Sequence, residues 1–377
     1  MTKIQHLTLL DGKGKVYHDA GITFSERIEA LEEKPAPDPQ ALDGSGLLLL
    51  PGFIDSLNRW GGVGPGWQED DYAEISDPIT PELDVSFAFD PDNMMFQELY
   101  RYGLTACGIT PGSANVISGQ IGAFLSYGRQ PEKVCLRSSL GIQASATTLP
   151  TQTYKERKER PMTRMGSFAL LREVLHKAHI YADKVPQQRD FKLEALVPIV
   201  HREKPLFINA MKRFEIEAAL RIKDEFQLRM VLCSAYEIDE HLRKDWSDLA
   251  VIMGDRTDFT SLRYRRIDTE SINHLAESGV PVAISSFSDH CASGKESLLW
   301  NAQLYQKDGV KEEWILPMIT SQPAKILGIE DLCGSLEVGK RADFCLWSEN
   351  PLQSFRARLM DVYVGGKRVD QHPHDCW

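Results

Sequence analysis

Asp289 and His290 stand side by side, a carboxylate next to an imidazole whose unperturbed pKa lies near neutrality. Such a pair can pass a proton in metal-free acid–base chemistry. Adjacent residues on an extended strand point to opposite faces, so joint action requires a loop, and a structural role is the simpler reading. Lys212 follows a short apolar run and could hold an anion at a strand end or begin a surface helix. Gly112-Ser113-Ala114-Asn115 offers exposed amides and an Asn side chain suited to a β-turn or a ligand contact. His372, His374 and Cys376 carry metal-binding side chains, yet a frayed tail accounts for them more simply.

The elements that must position these residues show two styles. Ile4–Leu10 and Val16–His18 alternate around Asp11-Gly12-Lys13-Gly14, the pattern of a hairpin. Ala342–Trp347 and Leu359–Val364 repeat that style near the other end. Neither β section can bury an apolar face alone, so the two are expected to form one small β-sandwich. The middle alternates apolar strands with helical spacing: strand 206–210, helix 214–222, strand 230–233, helix 238–244, strand 249–254, helix 272–277 and strand 280–285. That rhythm predicts a parallel sheet with right-handed crossovers, as a barrel or a doubly wound sheet. No G-x-G-x-x-G follows a strand, which removes the main support for a dinucleotide site. Residues 61–93 are rich in Gly, Pro and acids, the composition of a lid, a binding loop, a subunit contact or a disordered segment.

Bulk properties narrow the class. A net charge of −11 argues against nucleic-acid or anionic-membrane partners. The charged run 155–160 mixes signs and reads as a solvated face. Seven cysteines, an odd number with no C-x-x-C pair, suit reduced thiols in a cytoplasmic protein. No signal-peptide core and no membrane-length apolar run is present.

One segment carries a family resemblance. Leu47–Pro51 leads into Gly52-Phe53-Ile54-Asp55-Ser56-Leu57-Asn58-Arg59, which resembles the PGFIDxHxH opening strand of the amidohydrolase superfamily. Gln322-Pro323-Ala324-Lys325-Ile326-Leu327-Gly328 and Gly334-Ser335-Leu336-Glu337-Val338-Gly339-Lys340-Arg341-Ala342-Asp343 are similar to the closing helix and returning β section of members related to imidazolonepropionase and dihydroorotase. The resemblance implies an α/β fold, a (β/α)8 TIM barrel over 51–332 with a small β-sandwich domain built from both termini, 1–50 and 333–377. It also implies a homo-oligomer.

The same resemblance implies a metal site, usually zinc, built from the H-x-H of the first strand, a lysine or glutamate in some subgroups, histidines after strands five and six, and an aspartate after strand eight. The matching positions here are Leu57 and Arg59, Leu125, Asn209 to Met211, and Ser234 or Cys233; Asp289 alone keeps its type. Leu has no lone pair, Arg has no acceptor, and zinc needs about three protein donors. No metal and no other cofactor is therefore expected. Arg59 would need a carboxylate partner if buried, so Arg59 and Asp289 are expected within hydrogen-bonding reach, directly or through water. The alternative is that Arg59 reaches out to solvent.

Three functional readings follow. The leading one is an amidohydrolase-like protein that has lost metal-dependent hydrolysis. It would bind a small molecule at the barrel mouth through Arg59, Asn209, Lys212 and Ser234, or regulate an active relative. The second is an active hydrolase of a cyclic-amide C–N bond using Asp289, His290 and Arg59, or a relocated metal. The third is a structural partner whose mouth is plugged by Leu57, Leu125, Met211 and Trp60.

Overall fold

A computed structural model describes residues 1–62, 71–183, 188–256, 267–288 and 294–369. The first five strands are β1 (Thr2–Leu10), β2 (Val16–Phe24), β3 (Ile28–Glu33), β4 (Leu42–Asp43) and β5 (Leu48–Pro51). After them come β6 (Phe53–Asn58), β7 (Leu104–Ile109), β8 (Ile117–Gln120), β9 (Gly122–Leu125), β10 (Cys135–Arg137) and β11 (Ile142–Ser145). The chain continues through β12 (Leu206–Asn209), β13 (Met230–Cys233), β14 (Leu249–Met253) and β15 (Val282–Ile284), and closes with β16 (Phe344–Trp347), β17 (Leu359–Val364) and β18 (Lys367–Arg368).

Both ends of the chain share one eight-stranded sheet, in the order β18-β17-β16-β5-β1-β2-β3 with β4 on β1. Phe24 of β2 meets Phe344 of β16 edge-to-face at 5.0 Å, although β1 and β5 lie between their strands. That contact requires the sheet to curl over on itself. Alternation then divides its residues: Leu49, Phe344 and Leu346 fill the sheet's own core, while Leu50, Cys345 and Trp347 join the main core.

The central strands form two sheets, β10-β9-β7-β6 and β15-β14-β13-β12-β11-β8, giving a mixed α/β fold. Strands β11 to β15 pair in parallel, as β6 does with β7. β13 and β14 are continuous apolar runs, as sheets covered on both faces require. Outward residues such as Leu206, Ile208, Met230 and Val251 pack with helix residues Ile216, Ala219, Leu220 and Ile272. Inward residues Leu57, Phe207, Val231, Cys233, Ile252 and Ala283 form a separate interior cluster. The sheets meet at β6 and β15, where Ser56 Oγ donates to the Ile284 carbonyl at 3.1 Å and Ser285 Oγ to the Leu57 carbonyl at 2.6 Å.

One segment breaks the parallel order, and one sequence expectation changes. Segment 117–125 runs antiparallel to both β7 and β11. The helix expected over 238–244 is only a 3₁₀ turn, Glu240–Leu242. That run has too little apolar periodicity to dock a longer helix, and Trp246 Nε1 takes the Glu240 carbonyl at 3.2 Å. The charged run 155–160 is solvent-exposed throughout, as its mixed signs predict. Among the described residues, no helix is long and apolar enough to cross a membrane.

Candidate functional site

Because β6, β7 and β11 to β15 point the same way across their pairings, their C-terminal ends collect on one rim. Leu57 is wholly buried beneath that rim in the interior cluster, against a floor that includes Phe207, Ile252 and Phe287. Two residues on, Arg59 is half-buried and turned across the rim. Its Nη2 donates to the Ser288 carbonyl at 2.9 Å, and its guanidinium carbon lies 4.4 Å from the Tyr72 ring centre and 5.8 Å from that of Phe287. A cation over an aromatic face gains electrostatic attraction while keeping its N–H groups for acceptors. The expected partner Asp289, like His290, lies outside the described residues.

Asn209 and Ser234, at the neighbouring strand ends, are neutral. Asn209, fully buried at the end of β12, donates from Nδ2 to Ser113 Oγ at 3.2 Å, so the Gly112–Asn115 turn contributes to the rim. Ser234 follows β13 with φ of 52° and is buried, and its Oγ has no hydrogen-bond partner among the described residues. A non-glycine residue held left-handed next to a site is a strained position that its surroundings must impose.

Lys212 is exposed at the start of the helix Arg213–Phe226. The helix end is satisfied from within: buried Glu215 accepts the Met211 and Lys212 N–H groups at 3.0 and 3.1 Å. Burial pushes the Glu215 carboxyl up, against those hydrogen bonds.

Two acids escaped sequence reasoning. Asp55 is fully buried and accepts the Ser286 backbone N–H at 3.1 Å and the Ser286 hydroxyl. Desolvation pushes its pKa up to about 6, the Ser286 hydrogen bonds opposing the rise. Its position inside the PGFID motif was the available signal. Asp255, also fully buried, follows β14 through Gly254, and its N–H donates to the Phe287 carbonyl at 3.4 Å. An acid just past an apolar strand was the signal there.

The apolar plug does not assemble as expected. Leu57 belongs to the interior cluster, whereas Leu125, Met211 and Trp60 pack in the larger core shared with the helices. Leu125 also sits opposite Ala106, below the Ile109 end of β7, because its strand runs away from the rim. It therefore cannot occupy a metal-bridging position there.

Zinc does not fit the described rim. Leu57, Arg59, Asn209 and Ser234 supply no imidazole, thiolate or carboxylate, Asp255 just past β14 adds a single carboxylate, and a fixed guanidinium repels a divalent ion. Among the described residues, no group of three or more His, Cys, Asp or Glu is placed to hold a metal.

Comparison with known proteins places this geometry. Residues 216–369 match the amidohydrolase family. That match, with the relatives that follow, supports the amidohydrolase superfamily. The amidohydrolase tasK of Hapsidospora irregularis is 25% identical over 374 residues, 86% of this chain and 36% of that protein. Imidazolonepropionase of Shewanella baltica is 37% identical over 114 residues, 29% of this chain and 28% of its own length. The chain thus spans little more than a third of the one curated relative and under a third of the other. An amidohydrolase structure from Thermotoga maritima superposes with a TM-score of 0.88 at 28% identity, covering 99% of this chain and 100% of that one.

Proposed function

We propose that this chain is an amidohydrolase-like protein that has given up metal-dependent hydrolysis and binds a small anionic molecule at the rim. The two central sheets are taken as halves of a (β/α)8-type barrel in which β8 and β9 run reversed. The Ser56 and Ser285 seam and the separate interior cluster support that reading. A β-sandwich built from 1–50 and 333–377 is the matching domain proposal, supported by the contact of Phe24 with Phe344. Odd, unpaired-looking cysteine usage supports a cytoplasmic setting.

One observation carries the functional reading. The two positions matching the family's H-x-H are an apolar side chain sealed into the interior and a cation stacked on Tyr72. Arg59 keeps a permanent positive charge at the mouth, and that charge favours a carboxylate or phosphate there. Asn209 and Ser234 add neutral polar groups, and Lys212 adds a second cation at the outer edge.

The test combines metal analysis with binding. Protein purified with zinc in the medium should carry far less than one equivalent by mass spectrometry. Glutarate, a small dicarboxylate probe, should bind wild type and bind Arg59→Gln about tenfold or more weakly. A stoichiometric metal that supports hydrolysis of cyclic amides would overturn the reading.

A second reading stands on the hydrogen bond from Arg59 to the Ser288 carbonyl, which directs the cation to the residue preceding Asp289. In it, Asp289 or His290 takes a proton from a water that adds to the amide carbonyl, Arg59 steadies the oxyanion, and the proton passes to the nitrogen as the C–N bond breaks, with no metal. Amide hydrolysis that persists in chelator and is lost in His290→Ala would favour this reading over the first.

A further inference from the structure

Two exposed surfaces of opposite charge lie side by side on this chain, and each carries bare apolar side chains. The first is basic. Residues 155–165 hold Lys155, Arg157, Lys158, Arg160 and Arg164 against Glu156 and Glu159, all of them exposed. Arg164 stays 3.9 Å from Glu215, whose carboxylate is spent on the helix end, and lies 4.1 Å from the centre of the Phe214 ring. Met165 is 80% exposed, and Met162 and Phe214 are exposed as well.

The second surface is acidic. Residues 71–94 contain no Lys, Arg or His. Arg129 and Lys192 take up Asp92 and Asp77, while Asp71, Glu74 and Asp90 remain exposed. Phe87 is 93% exposed, and Leu83 and Met94 are exposed with it. Bare apolar groups ringed by charge mark association surfaces, and Met, Phe and Arg are enriched in them. The two surfaces abut within one chain. Arg157 Nη1 donates to the Ile75 carbonyl, and Asn115 ties the Glu74 carbonyl to the Tyr154 hydroxyl, next to Lys155.

We infer that these surfaces join two copies of this chain, the acidic segment of each lying on the basic surface of the other. Because the surfaces share a border, a two-fold axis through it lays each on its counterpart. One closed dimer then buries both apolar sets and pairs both charges. Apolar burial supplies the affinity, and the opposite charges select the orientation. A nucleic acid or an anionic membrane suits the basic half alone and is repelled by the acidic half beside it. Neither Arg59 nor the rim enters this contact, so its failure leaves the rim reading standing.

Sedimentation velocity of the full chain at micromolar concentration tests the inference. Wild type should run as a dimer whose dissociation constant rises severalfold with added salt. Met165→Asp and Phe87→Asp, both at exposed positions that leave the circular dichroism unchanged, should each weaken the dimer about tenfold or more. Mixing the two variants is the sharper measurement. A mixed dimer keeps one intact acidic-on-basic contact, whereas each variant alone has both contacts damaged, so the mixture should dimerise more tightly than either variant. A monomeric wild type, or a dimer indifferent to salt and to both substitutions, overturns the inference. Loss of the dimer in both variants with no recovery on mixing overturns the acidic-on-basic pairing.

Discussion

Asp55 and Ser286 lie 231 residues apart in sequence, yet the Asp55 carboxylate receives both the backbone N–H and the hydroxyl of Ser286. With the Ser56 and Ser285 hydrogen bonds, this joins the first central strand to the last and fixes the level of Leu57 and Arg59. The rim depends on that seam.

Its pH dependence has a definite sign. Burial raises Asp55 from 3.8 to about 6, so the folded chain holds this proton more tightly than the unfolded one. The contribution is fully present below pH 4 and fades as pH rises through about 6, amounting to roughly 3 kcal/mol at most. Thermal melts should show the difference between wild type and Asp55→Asn shifting across that interval. A difference constant from pH 4 to 7 would contradict the raised carboxyl.

Asn115 holds three partners from separate parts of the chain. Its Nδ2 donates to the Glu74 carbonyl at 2.6 Å and to Thr80 Oγ1 at 3.0 Å, and its Oδ1 accepts the Tyr154 hydroxyl at 2.7 Å. Asn115→Ala strands the buried Tyr154 hydroxyl and should cost about 2–4 kcal/mol. Limited proteolysis should then cut between Asp71 and Asp84, where wild type resists.

Glu215 should behave as a capping acid. Glu215→Ala leaves the Met211 and Lys212 N–H groups without their acceptor and should lower stability by about 1–2 kcal/mol, read from denaturant midpoints. Glu215→Gln, which keeps an acceptor oxygen, should restore much of it.

Arg59→Gln removes the charge from the Tyr72 face and the donor to Ser288. Hydrogen exchange should rise at Tyr72 and Ala73, with a melting temperature changed by only a few degrees, about 1 kcal/mol at a partly exposed cation–π pair. Unchanged exchange would mean that the stacking does not order the segment.

Several features were legible before any coordinates. Met230–Cys233 and Leu249–Met253 are strands because continuous β-prone apolar runs fit only a doubly covered sheet. Leu57 and Arg59 stood out because neither can replace a histidine at a metal. Glu240–Leu242 misled because a short polar run has no apolar face to decide its structure.

By itself, the sequence determined the alternation of strands and helices, the shared β style of the two ends, and the absence of imidazole at 57 and 59. These are properties of local residue type and spacing. Only the tertiary structure decided that 117–125 runs backwards, taking Leu125 away from the rim, and that Arg59 rests on Tyr72. It alone paired Asp55 with Ser286. Register and long-range contact set those relationships, and a one-residue change in pairing would reverse every side chain involved.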